Sequence, residues 1–162
     1  MVQEIISYPR SAEQKKNSKS CSSKQEVCVM CYTPYSLNVL MESDFFCIDG
    51  TFSYAPKEFF QQVEIMAFNR FSNEFEITVV FYLTSKTFDL YYRAFSSLQT
   101  HVMKAKSFIL HPKRILIDFE GALVNVCKMV FQPKELNGCY FHAVSNWWKR
   151  VAKEVFLNNI IL

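Results

Sequence analysis

Glycine and proline are scarce, at three and five residues of 162. Flexible linkers and low-complexity spacers draw heavily on both, so they are excluded as the main content of the chain. Long apolar runs are absent too. None approaches the roughly 18 residues a membrane-crossing helix requires; the longest, residues 77–83, has the size of a buried strand. Near the N-terminus, residues 9–24 are polar and lysine-rich and lack the apolar core of a secretory signal. This predicts an intracellular, reducing setting, in which the six cysteines are free thiols or metal ligands before they are disulfides. Charge of either sign is also in small excess: the formal net charge of +3 permits a nucleic-acid partner without demanding one. What remains is apolar material. The chain is 50% hydrophobic and 16% aromatic, which excludes a largely disordered polymer and supplies a core for one domain.

Composition divides the chain into 1–43 and 44–162. Residues 11–25 are rich in Ser, Lys, Gln and Asn with no apolar period, which predicts a mobile, mildly basic arm. A short helix over 36–42 completes the lead-in. Strands are then expected over 44–52, 59–68 and 76–83, the second alternating Val63, Ile65 and Ala67 against Gln62 and Glu64. Pro56 and the turn-like residues 69–73 separate them, so the three form an antiparallel meander. A helix follows over 86–104, with Tyr91, Phe95, Leu98 and Val102 on one face and Ser85 or Thr87 as its cap. A fourth strand at 114–118, a helix at 121–131, a fifth strand at 136–141 and a helix from about 143 complete the pattern. The last helix carries Val144, Trp147, Trp148, Val151 and Val155 on its apolar face.

This β-β-β-α-β-α-β-α order predicts an α/β fold with a mixed sheet: three antiparallel strands, then two parallel crossovers, with flanking helices. The right-handed crossover rule sets the fourth strand beside the first. Asp49 ends the apolar stretch of the first strand and Asp118 that of the fourth. A carboxylate in such a place costs free energy unless it is paired or bound to a cation. On neighbouring strands the two can share one divalent cation, as two-metal phosphoryl transfer requires.

The same residues carry a resemblance. Asp49-Gly50-Thr51-Phe52 with Ala55-Pro56, Lys86-Thr87 opening a Tyr/Phe-rich helix, Asp118-Phe119-Glu120 with Ala122, and Gly138-Cys139-Tyr140-Phe141-His142 occur in the order and spacing of the transposase domain of Mutator-like elements (MULE). Residues 43–151 resemble that family. The resemblance implies a ribonuclease-H-like fold and an Asp-Asp-Glu centre holding Mg²⁺ or Mn²⁺, with Asp49 and Asp118 as the first two carboxylates. It implies cleavage and transfer of DNA strands, DNA as partner, a nuclear location and association into homo-oligomers. The family's third carboxylate lies well downstream, so the chain is expected to be an incomplete catalytic domain. The alternative is a domesticated remnant acting as a non-catalytic DNA-binding or protein-interaction module.

Other candidates are weaker. Glu120 is expected in the first turn of its helix, where a carboxylate favours the helix dipole. Glu154, on the last helix, is a candidate third carboxylate, but the family places an insertion before its own Glu, and Lys149, Arg150 and Lys153 beside it form a basic helix face that can touch DNA phosphates. The resemblance maps the family's Cys-x-x-His word onto Cys139 and His142, which share a side only if the chain turns after Phe141. Cys28 and Cys31 have the spacing of half a zinc site and with Cys139 and His142 would make a Cys₃His set; zinc is not the favoured reading. His101 and His111 show no partner in the sequence.

Overall fold

The computed structural model describes residues 2–8, 26–51 and 55–158. The elements run β1 (Val2–Tyr8), β2 (Glu26–Tyr32), α1 (Pro34–Glu42), β3 (Phe45–Thr51), β4 (Gln61–Asn69), β5 (Glu74–Leu83), α2 (Phe88–Lys106), β6 (Arg114–Ile117), α3 (Gly121–Val130), β7 (Glu135–Gly138) and α4 (Tyr140–Asn158). All seven strands form one sheet, in the order β1-β2-β5-β4-β3-β6-β7. The expected meander is β3-β4-β5, antiparallel throughout. The two crossovers are β6, parallel to β3, and β7, parallel to β6. This mixed α/β architecture is consistent with a ribonuclease-H-like fold.

The segment 1–43 differs from the sequence expectation. The stretch read as a mobile arm, 11–25, lies outside the described residues, but the lead-in around it belongs to the sheet. β1 pairs with β2, and β2 pairs with β5, both antiparallel. Cys28 and Met30 are fully buried there, so β2 closes the flank of β5 that would otherwise be an open edge. The strand's own residues explain it: Glu26–Tyr32 alternates buried and half-buried positions at its start, the period of a strand with one face on the core.

One face of the sheet carries the main core. β4 alternates buried and half-buried residues along its whole length. Its buried set, with Phe46, Ile48, Val79, Phe81 and Leu83 of the neighbouring strands, joins one cluster with Leu90, Phe95 and Leu98 of α2 and Leu123, Val126 and Cys127 of α3. Four rings run through it: Phe81 to Phe95 at 5.4 Å, Phe95 to Phe131 at 5.4 Å and Phe131 to Phe46 at 5.9 Å. Each such buried side chain contributes about 1.5–3 kcal/mol.

The helices start and stop where side chains meet their free backbone groups. Thr33 and Ser36 form a reciprocal capping box before Pro34 opens α1. Thr87, not Ser85, caps α2 by accepting from Leu90 N. Asp89 lies in the first turn, Lys104 and Lys106 in the last, and Ser107 ends the helix in a left-handed conformation. At the far end the boundary falls earlier than expected. The strand read as 136–141 stops at Gly138 and the helix begins at Tyr140. The expected inward stripe of α4 is largely uncovered, with Trp147 64% and Trp148 65% exposed. The face is apolar as expected, but Val144, Trp147 and Trp148 on it are exposed while Val151 is half-buried.

Candidate active site

Asp49 lies within β3, two residues before its end, and Asp118 directly follows the neighbouring parallel strand β6. The last register pair of β3 and β6 is Ile48 with Ile117, so the next residue on each strand is an aspartate, and adjacent strands lie about 4.8 Å apart. Ile48 and Ile117 are buried anchors; Asp49, still within β3, alternates to the other face of the sheet from Ile48, and Asp118 is the first residue past β6. On its other side Asp49 lies directly opposite Glu64 of β4. Carboxylates therefore follow one another across β6, β3 and β4. Like charges directly opposite in a sheet are destabilising.

The environments of the two aspartates differ. Asp49 Oδ1 is buried and has no hydrogen-bond partner, while the side chain as a whole is 39% exposed. His142 Nε2 lies 3.6 Å from that oxygen. His142 Nδ1 is also buried and unpartnered. Asp118 Oδ1 accepts from Phe119 N at 2.6 Å. The Phe119 ring lies over Gly138, where a Cβ would overlap it.

The early start of α4 settles how Cys139 and His142 relate. Cys139 N donates to Ile117 O at 2.8 Å, and its carbonyl accepts from Ala143 N at 3.1 Å. It thus joins the strand ladder to the first helical turn. Three residues on, His142 falls on the same side of that turn, next to Asp49. Cys47 completes the group. Burial pushes its thiol up to about 11, and the charges of Asp49 and Cys139 add to the effect.

Behind the strand ends lies a second polar group, which the sequence did not reveal. Tyr91, read as a core position of α2, is fully buried, yet its hydroxyl donates to Glu120 Oε1 at 3.0 Å and accepts from Gln61 Nε2. Burial holds the Tyr91 proton above the ordinary tyrosine range. The Gln61 bond works against this, and the charges of Glu120 and Asp118 work with it. Glu120 is the N-cap residue of α3 rather than a member of its first turn, and its side chain makes no capping bond. The signals for this group were the lone Gln61 at a core-facing strand position and the hydroxyl on an otherwise apolar helix face.

Other sequence candidates fall elsewhere. Cys28 and Cys31 are three apart on a strand and so face opposite ways. From β2 to β7 is five strand steps, about 24 Å at 4.8 Å each, so the structure does not bring Cys28 or Cys31 to Cys139 and His142. Lys149, Arg150 and Lys153 are exposed on α4. Glu154 lies on the same helix. His101 and His111 do have partners, Tyr32 Oη at 2.6 Å and the Phe131 carbonyl at 2.9 Å. Among the described residues no three His, Cys, Asp or Glu side chains close round a common point, and no helix is long and apolar enough to cross a membrane.

The strand order is that of a mixed α/β sheet consistent with the ribonuclease-H-like class. The family model described as the MULE transposase domain matches residues 45–146, more than half of the chain. No significant match was found among curated proteins or among solved structures. The chain belongs to the MULE transposase domain family.

Proposed function

We propose that this chain carries two of the three carboxylates of the metal-dependent strand-cleavage centre of a DNA transposase, with Asp49 and Asp118 as its cation-binding pair. The observation that carries the reading is the parallel register, which puts the two carboxylates one residue beyond the Ile48–Ile117 pair of adjacent strands, with Asp49 Oδ1 buried and unpartnered. The donor set suits Mg²⁺ or Mn²⁺. Mg²⁺ is held by one or two carboxylates and completes its shell with water and substrate phosphates, so two aspartates suffice where a closed cage does not. When bound, the cation supplies activation of water or a 3′-hydroxyl and stabilisation of the leaving oxygen.

The residues of the chain divide the remaining work. Asp49 and Asp118 fix where the cation and the scissile phosphate lie. His142 lines the same site from the first turn of α4. Lys149, Arg150 and Lys153 lie further along that helix, where cationic side chains meet a DNA backbone. The site of action is then the nucleus, where the DNA is.

The test is Mn²⁺ binding followed by electron paramagnetic resonance, together with Mg²⁺-dependent nicking of supercoiled plasmid. Wild type is expected to bind Mn²⁺, and Asp49→Asn and Asp118→Asn to weaken binding at least tenfold and to abolish nicking. Glu154→Gln is expected to change neither. Binding and nicking that survive both aspartate changes overturn the proposal. DNA binding without Mn²⁺ affinity in wild type favours a non-catalytic DNA-binding module instead.

A further inference from the structure

Glu120 occupies a capping position, and its side chain does not cap. A polar side chain there ordinarily turns back to the free amides of its own helix. Glu120 turns to α2, where the Tyr91 hydroxyl donates to its Oε1 at 3.0 Å. Gln61 Nε2, on β4, donates to that same hydroxyl. The direction of this chain of bonds is fixed by its ends. The amide nitrogen has only protons to give, and the carboxylate offers only lone pairs. Tyr91 therefore takes from Gln61 and gives to Glu120.

The arrangement is not the cheapest way to fill the space. Gln61 is fully buried, and its Oε1 is left with no partner. Apolar side chains of the same shape at 61 and 91 would avoid that cost. The polar chain is explained by what it holds. Only Asp118, Phe119 and Glu120 lie between the end of β6 and the start of α3. One end of this connection is pinned at Ile117, paired to β3 and β7. The other is pinned at Glu120 by Tyr91. In the middle, the Phe119 ring rests over Gly138. Asp118 has a fixed point on each side.

We propose that Tyr91 is a positioning residue for Asp118: by anchoring Glu120 it holds the β6–α3 connection in the shape that presents Asp118 beside Asp49. This rests on the reading of those two aspartates as a cation-binding pair. Outer partners of metal ligands typically change metal affinity about 10–100-fold when lost. Tyr91→Phe removes one oxygen and leaves the ring in place.

The experiment measures Mn²⁺ affinity by electron paramagnetic resonance for wild type, Tyr91→Phe, Glu120→Ala, Glu120→Gln and the double variant Tyr91→Phe/Glu120→Ala, with circular dichroism to verify folding. Tyr91→Phe and Glu120→Ala are each expected to weaken Mn²⁺ binding about tenfold. Glu120→Gln keeps an acceptor oxygen for Tyr91 and is expected to retain most of the affinity. The double variant is expected to be no weaker than Glu120→Ala, because both changes cut the same tether. If Tyr91→Phe alone unfolds, Glu120→Ala against Glu120→Gln still decides the point. Wild-type affinity in Glu120→Ala overturns the positioning role while leaving the aspartate pair intact. Loss of binding in neither aspartate variant overturns both.

Discussion

His142 Nε2 stands 3.6 Å from Asp49 Oδ1, within reach of charge and beyond a hydrogen bond. Asp49 Oδ1 and His142 Nδ1 are both buried and unpartnered, and an unmet buried polar group costs about 1–3 kcal/mol. Glu64 directly opposite Asp49 adds repulsion. The site is therefore built at the expense of stability, as binding sites commonly are. Asp49→Asn removes the charge and keeps the shape. In EDTA it is expected to melt at or above the wild-type temperature. With Mg²⁺ or Mn²⁺ at ten times its dissociation constant, wild type gains about 1.4 kcal/mol, a rise of about 3–6 °C for a chain of this size. Asp49→Asn gains nothing. Thermal melts with and without the cation check this; a wild-type midpoint indifferent to both cations contradicts it.

Gly138 is required by its neighbour rather than by its backbone. No glycine has a positive φ among the described residues, so an alanine at 138 meets no conformational penalty. It meets the Phe119 ring, which lies where a Cβ would go. The ring is 61% exposed and free to swing aside, so the clash costs less than the about 1–3 kcal/mol of overpacking in a closed core. Gly138→Ala is expected to lower stability by less than that amount and to displace the ring that follows Asp118. Phe119→Ala opens the space, so the double variant Gly138→Ala/Phe119→Ala should be more stable than the sum of the single changes predicts. Urea unfolding of the four proteins measures the coupling; strict additivity would show that the two positions do not interact.

Much of this site was legible before the structure, and the reasons are local. Val63, Ile65 and Ala67 alternate cleanly against polar neighbours, which fixed a strand and its faces. The crossover rule then made Asp49 and Asp118 neighbours from connectivity alone, and β6 does pair with β3. β2 was missed because its place depends on pairing with β5, fifty residues on, which no local window contains. Its Cys28 and Cys31 drew attention as metal ligands when they are core side chains. The link between Cys139 and His142 turned on where a strand became a helix, a boundary the residues 136–143 do not mark. The exposure of Trp147 and Trp148 was hidden for another reason. Helical periodicity says that a face is apolar, not that anything lies against it.

Asp44 ties the start of β3 to its surroundings, and it should set part of the acid sensitivity of the fold. Its Oδ2 accepts from Lys113 Nζ at 2.9 Å and pairs with Arg70 at 3.0 Å. The Lys113 hydrogen bond holds the carboxyl below its ordinary range, partial burial opposes this, and Arg70 reinforces it. A carboxyl depressed in the folded state contributes stability above its unfolded value, about 3.9, and loses it as pH falls through the lower folded value. Partly exposed pairs of this kind contribute about 0.2–1 kcal/mol each. Asp44→Asn is therefore expected to melt about 2–4 °C below wild type at pH 7. The difference should close only as pH falls through the lowered folded-state value, where the wild-type carboxyl also becomes neutral. It should also shrink in 1 M salt, where the screening length falls to about 3 Å. Melting curves of both proteins between these limits test the assignment. A gap that persists unchanged into strong acid would mean that Asp44 acts through its shape and not its charge.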